Sequence, residues 1–297
     1  MRSARASFWA AFFGVSVAVW STQAAISIFD FSSAVNDRFA NSPSFVAYGY
    51  DLSGVGLDNN GQWLAMISPN VYLSANHYHP SANASVTFYA SNDPNGLSVT
   101  RTVTSIAQRI RTSDLWIGTI NEPLPNSFVY YDFATEDITS SGQFNSSAYK
   151  NAVAFILGRS PTDWATSKDM AVGQNKLDVW FDSIKVGDTI DDAIGAVKDS
   201  PSDPNFVSSE ALVQTGDSGA GMFVPSGGKL TLVGINWFYY TAGNETGSGF
   251  SYVGNYDGDI QTFLNLYSVP EPSAFAGVTG LLALGWTVSH RLRKSSE

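Results

Sequence analysis

A serine in a glycine-rich turn is the residue of this chain best suited to nucleophilic chemistry. Ser218 stands in the run Gly-Asp-Ser-Gly-Ala-Gly at positions 216–221, directly before an apolar segment. A serine that attacks a carbonyl needs backbone N–H groups to hold the developing oxyanion. Glycine at position 216 lets the chain turn without a Cβ, so that its N–H and that of Ser218 can point at one spot. The same composition is typical of an ordinary turn between strands, so these residues alone leave both interpretations open.

A general base and an orienting carboxylate for such a serine occur earlier in the chain. Imidazole titrates near neutral pH, and His77 and His79 are the two histidines between positions 26 and 269. His77 follows a strand, a Ser-Pro turn and a second strand, whereas His79 precedes a proline and is expected at the rim. Asp114 opens an apolar run, where a carboxylate can be buried beside a histidine. Considered one at a time, His77 could instead be a histidine of a surface loop, and Asp114 an aspartate that caps a strand.

In combination, these three segments resemble the chymotrypsin-like, or trypsin-fold, serine proteases. Residues 216–219 match the family's Gly-Asp-Ser-Gly, residues 74–78 (Ser-Ala-Asn-His-Tyr) resemble Thr-Ala-Ala-His-Cys, and the aspartate before an apolar strand is the third landmark. The chain order His77, Asp114, Ser218 is that of the family, whereas other triad folds use other orders.

The resemblance implies an all-β fold of two antiparallel β-barrels with a short C-terminal helix, and a peptidase acting on protein or peptide substrates. By this resemblance Ser218 attacks the peptide carbonyl, His77 takes its proton and Asp114 orients His77. The N–H groups of Gly216 and Ser218 form the oxyanion hole. No metal site and no organic cofactor are implied.

The substrate pocket is also suggested by resemblance. Residues 232–238 resemble the family's Leu-Val-Gly-Ile-Val-Ser-Trp-Gly strand, one residue shorter. This implies three substrate-binding residues: Asn236, Trp237 and Phe238. Leu212, six positions before Ser218, corresponds to the pocket base, where trypsin-like members carry an aspartate. Burying a cation against leucine is costly, so we expect a small or medium apolar residue before the scissile bond. Glu210 and Asp182 would reach the pocket only if this sequence matches the family's pattern in a different register.

Two features depart from the family. The chain has no Arg/Lys-Ile-Val-Gly-Gly activation site near its start, and in the family the freed amine pairs with the aspartate before the nucleophile. What neutralises Asp217 is therefore an open question at this stage. A catalytically silent trypsin-fold protein, acting as a surface or matrix adhesion module, is the alternative function.

Periodicity and turn residues predict the elements that must position these groups. A strand running into a turn is predicted at 44–55, and strands at 62–67, 86–89, 97–106, 152–158, 176–181, 222–224 and 230–235. Residues 121–147 are predicted as the crossover between barrels, 188–205 as an acidic surface loop and 257–267 as an amphipathic helix. The resemblance implies a short strand from Val71 up to residues 74–78 and an apolar strand after Asp114. It also implies a first barrel within residues 25–125, a second within 126–268, and a C-terminal helix packed against the second barrel.

Both ends of the chain look like targeting signals. Residues 1–24 have a charged start, an apolar run and a small-residue cleavage site, as in a secretory signal peptide. Residues 269–297 contain Pro-Glu-Pro, a hydrophobic segment and a basic tail, which resembles the PEP-CTERM sorting signal. This resemblance implies an exosortase-type partner and transient inner-membrane insertion. The expected location is the cell envelope or extracellular matrix of a Gram-negative bacterium.

Composition limits the partners and the sources of stability. The formal net charge is −10, and the two ends hold five of the 16 Lys and Arg residues but only two of the 26 Asp and Glu residues. The body is thus more acidic than the whole chain, which argues against nucleic acid as a partner. The chain has no cysteine, so apolar burial must stabilise the exported protein.

Overall fold

The computed structural model describes residues 25–162 and 166–269. The predicted signal peptide and all but the first residue of the predicted sorting signal lie outside these residues. The described chain begins with strand β1 (Ser27–Ile28), helix α1 (Ser33–Asn36) and a 3-10 turn at Arg38–Ala40. Among the described residues, no helix is long and apolar enough to cross a membrane.

The first unit is a closed six-stranded antiparallel barrel. Its strands are β2 (Val55–Asp58), β3 (Trp63–Met66), β4 (Val71–Ala75), β5 (Ser85–Tyr89), β6 (Ser98–Arg109) and β7 (Leu115–Ile120). They pair in the order β2-β3-β4-β7-β6-β5, and β5 pairs back to β2. β4 and β7 are neighbours, with Ala75 opposite Leu115. This register brings the residues just after β4 beside those just before β7.

The second unit is a curled sheet that forms a half-barrel. A connection with β8 (Asp132–Phe133) and helix α2 (Ser141–Ser146) leads into it. The remaining strands are β9 (Val153–Gly158), β10 (Ala171–Lys176), β11 (Val179–Val186), β12 (Thr189–Val197), β13 (Ala211–Leu212), β14 (Gly221–Ser226), β15 (Lys229–Ala242) and β16 (Glu245–Tyr252). The sheet order is β10-β9-β14-β15-β16-β12-β11, β8 joins β15 in parallel, and β13 pairs with β1. β1, at the start of the described residues, therefore lies against the second unit.

One apolar core joins the two units. It combines side chains of the first barrel, such as Trp63 and Leu73, with Phe155 and Phe223 of the second unit. Burial of this kind stabilises a chain by about 25 cal/mol for each Å² of apolar surface removed from water. The barrels are thus fixed to each other by a shared core, and groups on facing edges can form one site.

Helix α3 (Asp257–Tyr267) has the predicted bounds but packs on a different unit than expected. The Asn70 side-chain amide donates to the Tyr267 carbonyl at 2.9 Å, and Arg111 forms an ion pair with Asp259 at 2.7 Å. Both partners belong to the first barrel. The prediction that the helix packs against the second barrel is therefore wrong in this respect, because these contacts come from loops flanking β4 and β7.

The prediction of an all-β chain with a short C-terminal helix is confirmed, and several strands lie close to the expected positions. Two local predictions are wrong. Residues 44–54 form turns, because Phe45, Tyr48 and Tyr50 take part in short-range backbone hydrogen bonds and not in a ladder. Residues 189–197, predicted as a loop, form β12, which pairs with β11 and β16.

Candidate active site

The structure places His77 and Asp114 in direct contact at the mouth of the first barrel. Asp114 Oδ2 lies 2.7 Å from His77 Nδ1, and Asp114 Oδ1 accepts the backbone N–H of His77 at 3.1 Å. The Asn76 N–H donates to the Asp114 carbonyl at 2.6 Å. The Asp114 side chain is fully buried, whereas that of His77 is 39% exposed. A buried carboxylate thus fixes one ring nitrogen and leaves the other edge of the imidazole towards solvent.

The loop that carries Ser218 packs on the segment that carries His77. Gly219 has φ +85°, and a Cβ on it would lie 2.8 Å from the Tyr78 carbonyl oxygen and 2.9 Å from Ser74 Oγ. Only glycine fits there, because side chains rarely adopt this φ and the space is already filled. The close approach of two backbones brings the loop of the second unit against the histidine loop of the first.

The Ser218 side chain is partly exposed. Within the described part of the chain its hydroxyl has no hydrogen-bond partner, so the Ser218–His77 bond of a working triad is not made here. Such bonds are often long in enzymes without substrate and tighten when it binds. The observed arrangement therefore has the serine loop next to the His77–Asp114 pair, without a hydrogen bond between Ser218 and His77.

A tryptophan of the first barrel holds the backbone of the loop that carries Ser218. Trp63 is fully buried and donates its Nε1–H to the Gly216 carbonyl at 3.3 Å, while the Trp63 carbonyl accepts Ser74 Oγ–H at 2.6 Å. Gly216 has φ +104°, a conformation that glycine adopts without steric cost. Among the described residues, neither the Gly216 N–H nor the Ser218 N–H donates to another protein group, so both stay free for an oxyanion.

Asp217 holds the loop that carries Ser218 to the rest of the second unit. Its two carboxylate oxygens accept the backbone N–H groups of Arg159 and Gln214, each at 2.7 Å. Gly158 makes room, since a Cβ there would lie 2.7 Å from Asp217 Cγ. Complete burial raises the pKa of Asp217 to about 8. Two backbone N–H groups therefore hold the Asp217 carboxyl, and its raised pKa shifts it towards the neutral form.

His79 belongs to the rim of the site. Its ring stacks on Trp116 with centroids 3.9 Å apart, and its Nδ1 lies 2.9 Å from the Asn76 carbonyl and 3.1 Å from that of Ala75. Burial lowers the pKa of His79, which disfavours its charged form. These contacts commit His79 Nδ1 to the loop backbone, whereas the Asp114 carboxylate is bonded to His77.

The four residues assigned to substrate binding occupy different environments. Leu212 and Trp237 are buried, and Phe238 is partly exposed. Asn236 is buried and its side-chain amide donates to the carbonyls of Leu157 at 2.8 Å and Asp217 at 3.0 Å. The Asn236 side chain therefore supports the nucleophile loop, which is a role that the strand resemblance did not indicate.

An aromatic cluster borders the strand of Phe238. The Phe238 ring lies against Gly249, where a Cβ would come within 2.2 Å of the ring, and it contacts Phe181 and Tyr240 at centroid distances of 5.5 and 6.3 Å. This wall is apolar. The Glu210 carboxylate is held by backbone donors, because its two oxygens accept the N–H groups of Asp199 and Val207.

Sequence reasoning missed a second buried carboxylate next to the site. Asp191 on β12 accepts the backbone N–H of Asp114 at 2.9 Å. Its neighbours along the strand are Ile190 and Asp192, and the acidic pair suggested a solvated loop. Exposed and buried positions alternate from Thr189 onward in the structure, but no alternation of apolar and polar residues in the sequence announces this strand.

No protein-family model matches this chain, and no match was found among curated proteins. The family resemblance therefore depends on the residues quoted above and on the fold.

Proposed function

We propose that this chain is an exported serine endopeptidase of the trypsin fold. The observation that supports it most strongly is the His77–Asp114 pair, in which one buried carboxylate contacts both Nδ1 and the backbone N–H of the histidine. The loop carrying Ser218 lies against the same segment. A closed barrel and a curled half-barrel sharing one core are compatible with this fold.

In the proposed mechanism the Ser218 hydroxyl attacks the peptide carbonyl carbon as His77 Nε2 takes its proton. The tetrahedral oxyanion is held by the N–H groups of Gly216 and Ser218, and His77 then gives the proton to the leaving amine. Water hydrolyses the acyl-enzyme by the same route. Asp114 holds the ring orientation and stabilises the imidazolium. Each oxyanion donor is typically worth about 100- to 1,000-fold in rate.

We propose that the enzyme prefers a small or medium apolar residue before the scissile bond. Leu212 offers no charge to a cationic side chain, and Glu210 is engaged by backbone donors. The Phe238 ring lies on Gly249 and adds an apolar surface to its own strand. A buried, unpaired Lys or Arg would cost several kcal/mol in such a site.

The proposed location depends on the ends of the chain. A signal peptide at 1–24 and a PEP-CTERM-like segment at 269–297 support export, processing by an exosortase-type enzyme and transient anchoring in the inner membrane. The enzyme would then act in the cell envelope or extracellular matrix of a Gram-negative bacterium.

The test is covalent labelling of residues 25–268 with a fluorophosphonate probe, followed by peptide mapping. The modified residue is expected to be Ser218, and Ser218→Ala should remove labelling while the thermal melt stays nearly unchanged. Ser226→Ala, at the exposed end of β14, is the matched control and should label normally. A folded wild-type protein that neither labels nor cleaves peptides would contradict the proposal and favour the adhesion module.

A further inference from the structure

Asp191 is a buried carboxylate of the second unit that reaches across to the first. It is 2% exposed, and three donors converge on it. Oδ2 accepts the Asp114 backbone N–H at 2.9 Å and also the Ser251 hydroxyl, while Oδ1 accepts the Tyr256 hydroxyl at 2.5 Å. The donors come from β16, from the 3-10 turn Gly254–Tyr256 and from the residue that opens β7.

This arrangement suits the ionised form of Asp191. A carboxylate accepts several hydrogen bonds, whereas a protonated carboxyl must turn one oxygen into a donor. Burial raises the pKa of Asp191 to about 6, which still leaves it charged at neutral pH. A second buried carboxylate, Asp114, is close by, and like charges in a low dielectric repel. The three donors offset that cost, so the network stabilises the pair only when it is complete.

A second contact holds the same loop to the same strand. Arg109, at the end of β6, donates to the carbonyls of Ser113 at 2.7 Å and Thr112 at 2.5 Å. Its guanidinium also donates to Thr189 Oγ1 at 2.9 Å. Thr189 and Asp191 are alternate residues of β12. The loop before Asp114 is therefore fastened to β12 at two points.

We propose that Asp191 is a positioning residue for the His77–Asp114 pair, supplied by the second unit to the catalytic carboxylate of the first. It touches no reacting atom and acts by holding the Asp114 backbone, which sets the direction of the carboxylate towards His77 Nδ1. The inference rests on the proposed function for its effect on rate. The contact itself is independent of that function.

The consequence is that the position of the second unit controls the geometry of the pair. If the Asp191 network is lost, the Asp114 backbone N–H loses its bond to β12. The loop at 110–114 then keeps the Arg109 contacts, the Arg111–Asp259 ion pair and the bond from the Asn76 N–H to the Asp114 carbonyl. With this one tie to β12 removed, Asp114 can shift relative to His77. Misplacement of a catalytic group by about 1 Å can cost on the order of 100-fold in rate.

The experiment uses Asp191→Asn and Tyr256→Phe in residues 25–268. Asparagine keeps the size but turns an N–H₂ towards one of the three donors, and phenylalanine removes one donor while keeping the ring. Asp192→Asn is the matched control, because Asp192 is the next residue and accepts bonds from the Ser183 N–H and Asn255 but not from Asp114. The readouts are the fluorophosphonate labelling rate, the proton NMR signal of His77 Nδ1–H and the thermal melt.

We expect Asp191→Asn to lower the labelling rate by about 10- to 100-fold and to shift or broaden the Nδ1–H signal. Tyr256→Phe should show a smaller effect of the same kind, and Asp192→Asn should leave both readouts as in the wild type. If Asp191→Asn does not fold, Tyr256→Phe decides. A folded Asp191→Asn, or in its absence Tyr256→Phe, with unchanged rate and signal overturns the inference. If the wild type never labels but the signal shifts in Asp191→Asn alone, the proposed function fails and the positioning contact stands.

Discussion

Replacing Gly219 by alanine should show whether labelling of Ser218 depends on the close contact between the Ser218 loop and the His77 segment, and not only on the flexibility of glycine. The new Cβ would lie 2.8 Å from the Tyr78 carbonyl oxygen, and 3.4 Å is the lower end of ordinary contact. The nucleophile loop must therefore retreat by about 0.6 Å from the segment that carries His77. Because misplacement of about 1 Å can cost on the order of 100-fold, we expect fluorophosphonate labelling of Ser218 to slow by roughly 10- to 100-fold.

The stability cost of Gly219→Ala has two parts. Alanine at positive φ costs about 1–2 kcal/mol, and overpacking against the Tyr78 backbone adds about 1–3 kcal/mol. Urea unfolding of residues 25–268 measures the total, which should be about 2–5 kcal/mol. The variant stays folded only if the free energy of unfolding of the wild type is larger than this loss. Labelling is therefore measured under conditions where the melt shows a native population.

Gly228→Ala is the matched control for this experiment. Gly228 has φ +79° in the β14–β15 hairpin, and a Cβ there would meet nothing within 4 Å. Gly228→Ala should pay only the cost of alanine at positive φ, about 1–2 kcal/mol in the free energy of unfolding, and should label at the wild-type rate. Wild-type labelling in Gly219→Ala, or an equal loss of labelling in Gly228→Ala, would refute the reasoning.

Four other predictions concern the base, the buried acid, the pocket and the C-terminal segment. His77→Ala should abolish labelling whereas His79→Ala, which loses a stack on Trp116, should retain it; the reverse result would move the base by two residues. Since the pKa of Asp217 is raised to about 8, against about 3.9 when unfolded, the folded state holds a proton that the unfolded state releases. The free energy of unfolding should therefore fall as pH rises from about 4 to 8, and Asp217→Asn should flatten this fall in urea titrations; equal slopes would contradict the burial argument. A peptide library profiled by mass spectrometry should show cleavage after small or medium apolar residues, and dominant cleavage after Lys or Arg would refute the pocket assignment. Deleting residues 269–297 should release a soluble, folded body in cell fractionation, and retention in the membrane fraction would point to another anchor.

Strand positions near the site follow from local sequence because they depend on short-range patterns. The short strand expected from Val71 forms β4 (Val71–Ala75), and the apolar strand expected after Asp114 forms β7 (Leu115–Ile120). The helix at Asp257–Tyr267 also has the predicted bounds, since Ile260 and Phe263 lie on one helical face and are buried. Its docking partner was not predictable, because Asn70 and Arg111 are polar loop residues that give no local signal.

The strand β12 shows where local patterns fail. Ile190 is the apolar residue of its first half, and periodicity would turn it inward, yet it is 48% exposed while Asp191 is 2% exposed. A carboxylate in that position is unfavourable unless donors surround it. Those donors come from Asp114, Ser251 and Tyr256, which are distant in sequence. The exposure of Ile190 and the burial of Asp191 therefore cannot be read from residues 188–205.

The sequence by itself determined the chemical types of the site: a serine between glycines, a histidine after one strand and an aspartate before another, in a fixed chain order. The tertiary structure decided how they are held. Adjacent register of β4 and β7 joins His77 to Asp114, while Trp63 and Asp191 reach across the two units to fasten Gly216 and the Asp114 backbone. Hydrogen bonds between groups far apart in the chain exist only after both units share one core, and for that reason no local pattern encodes them.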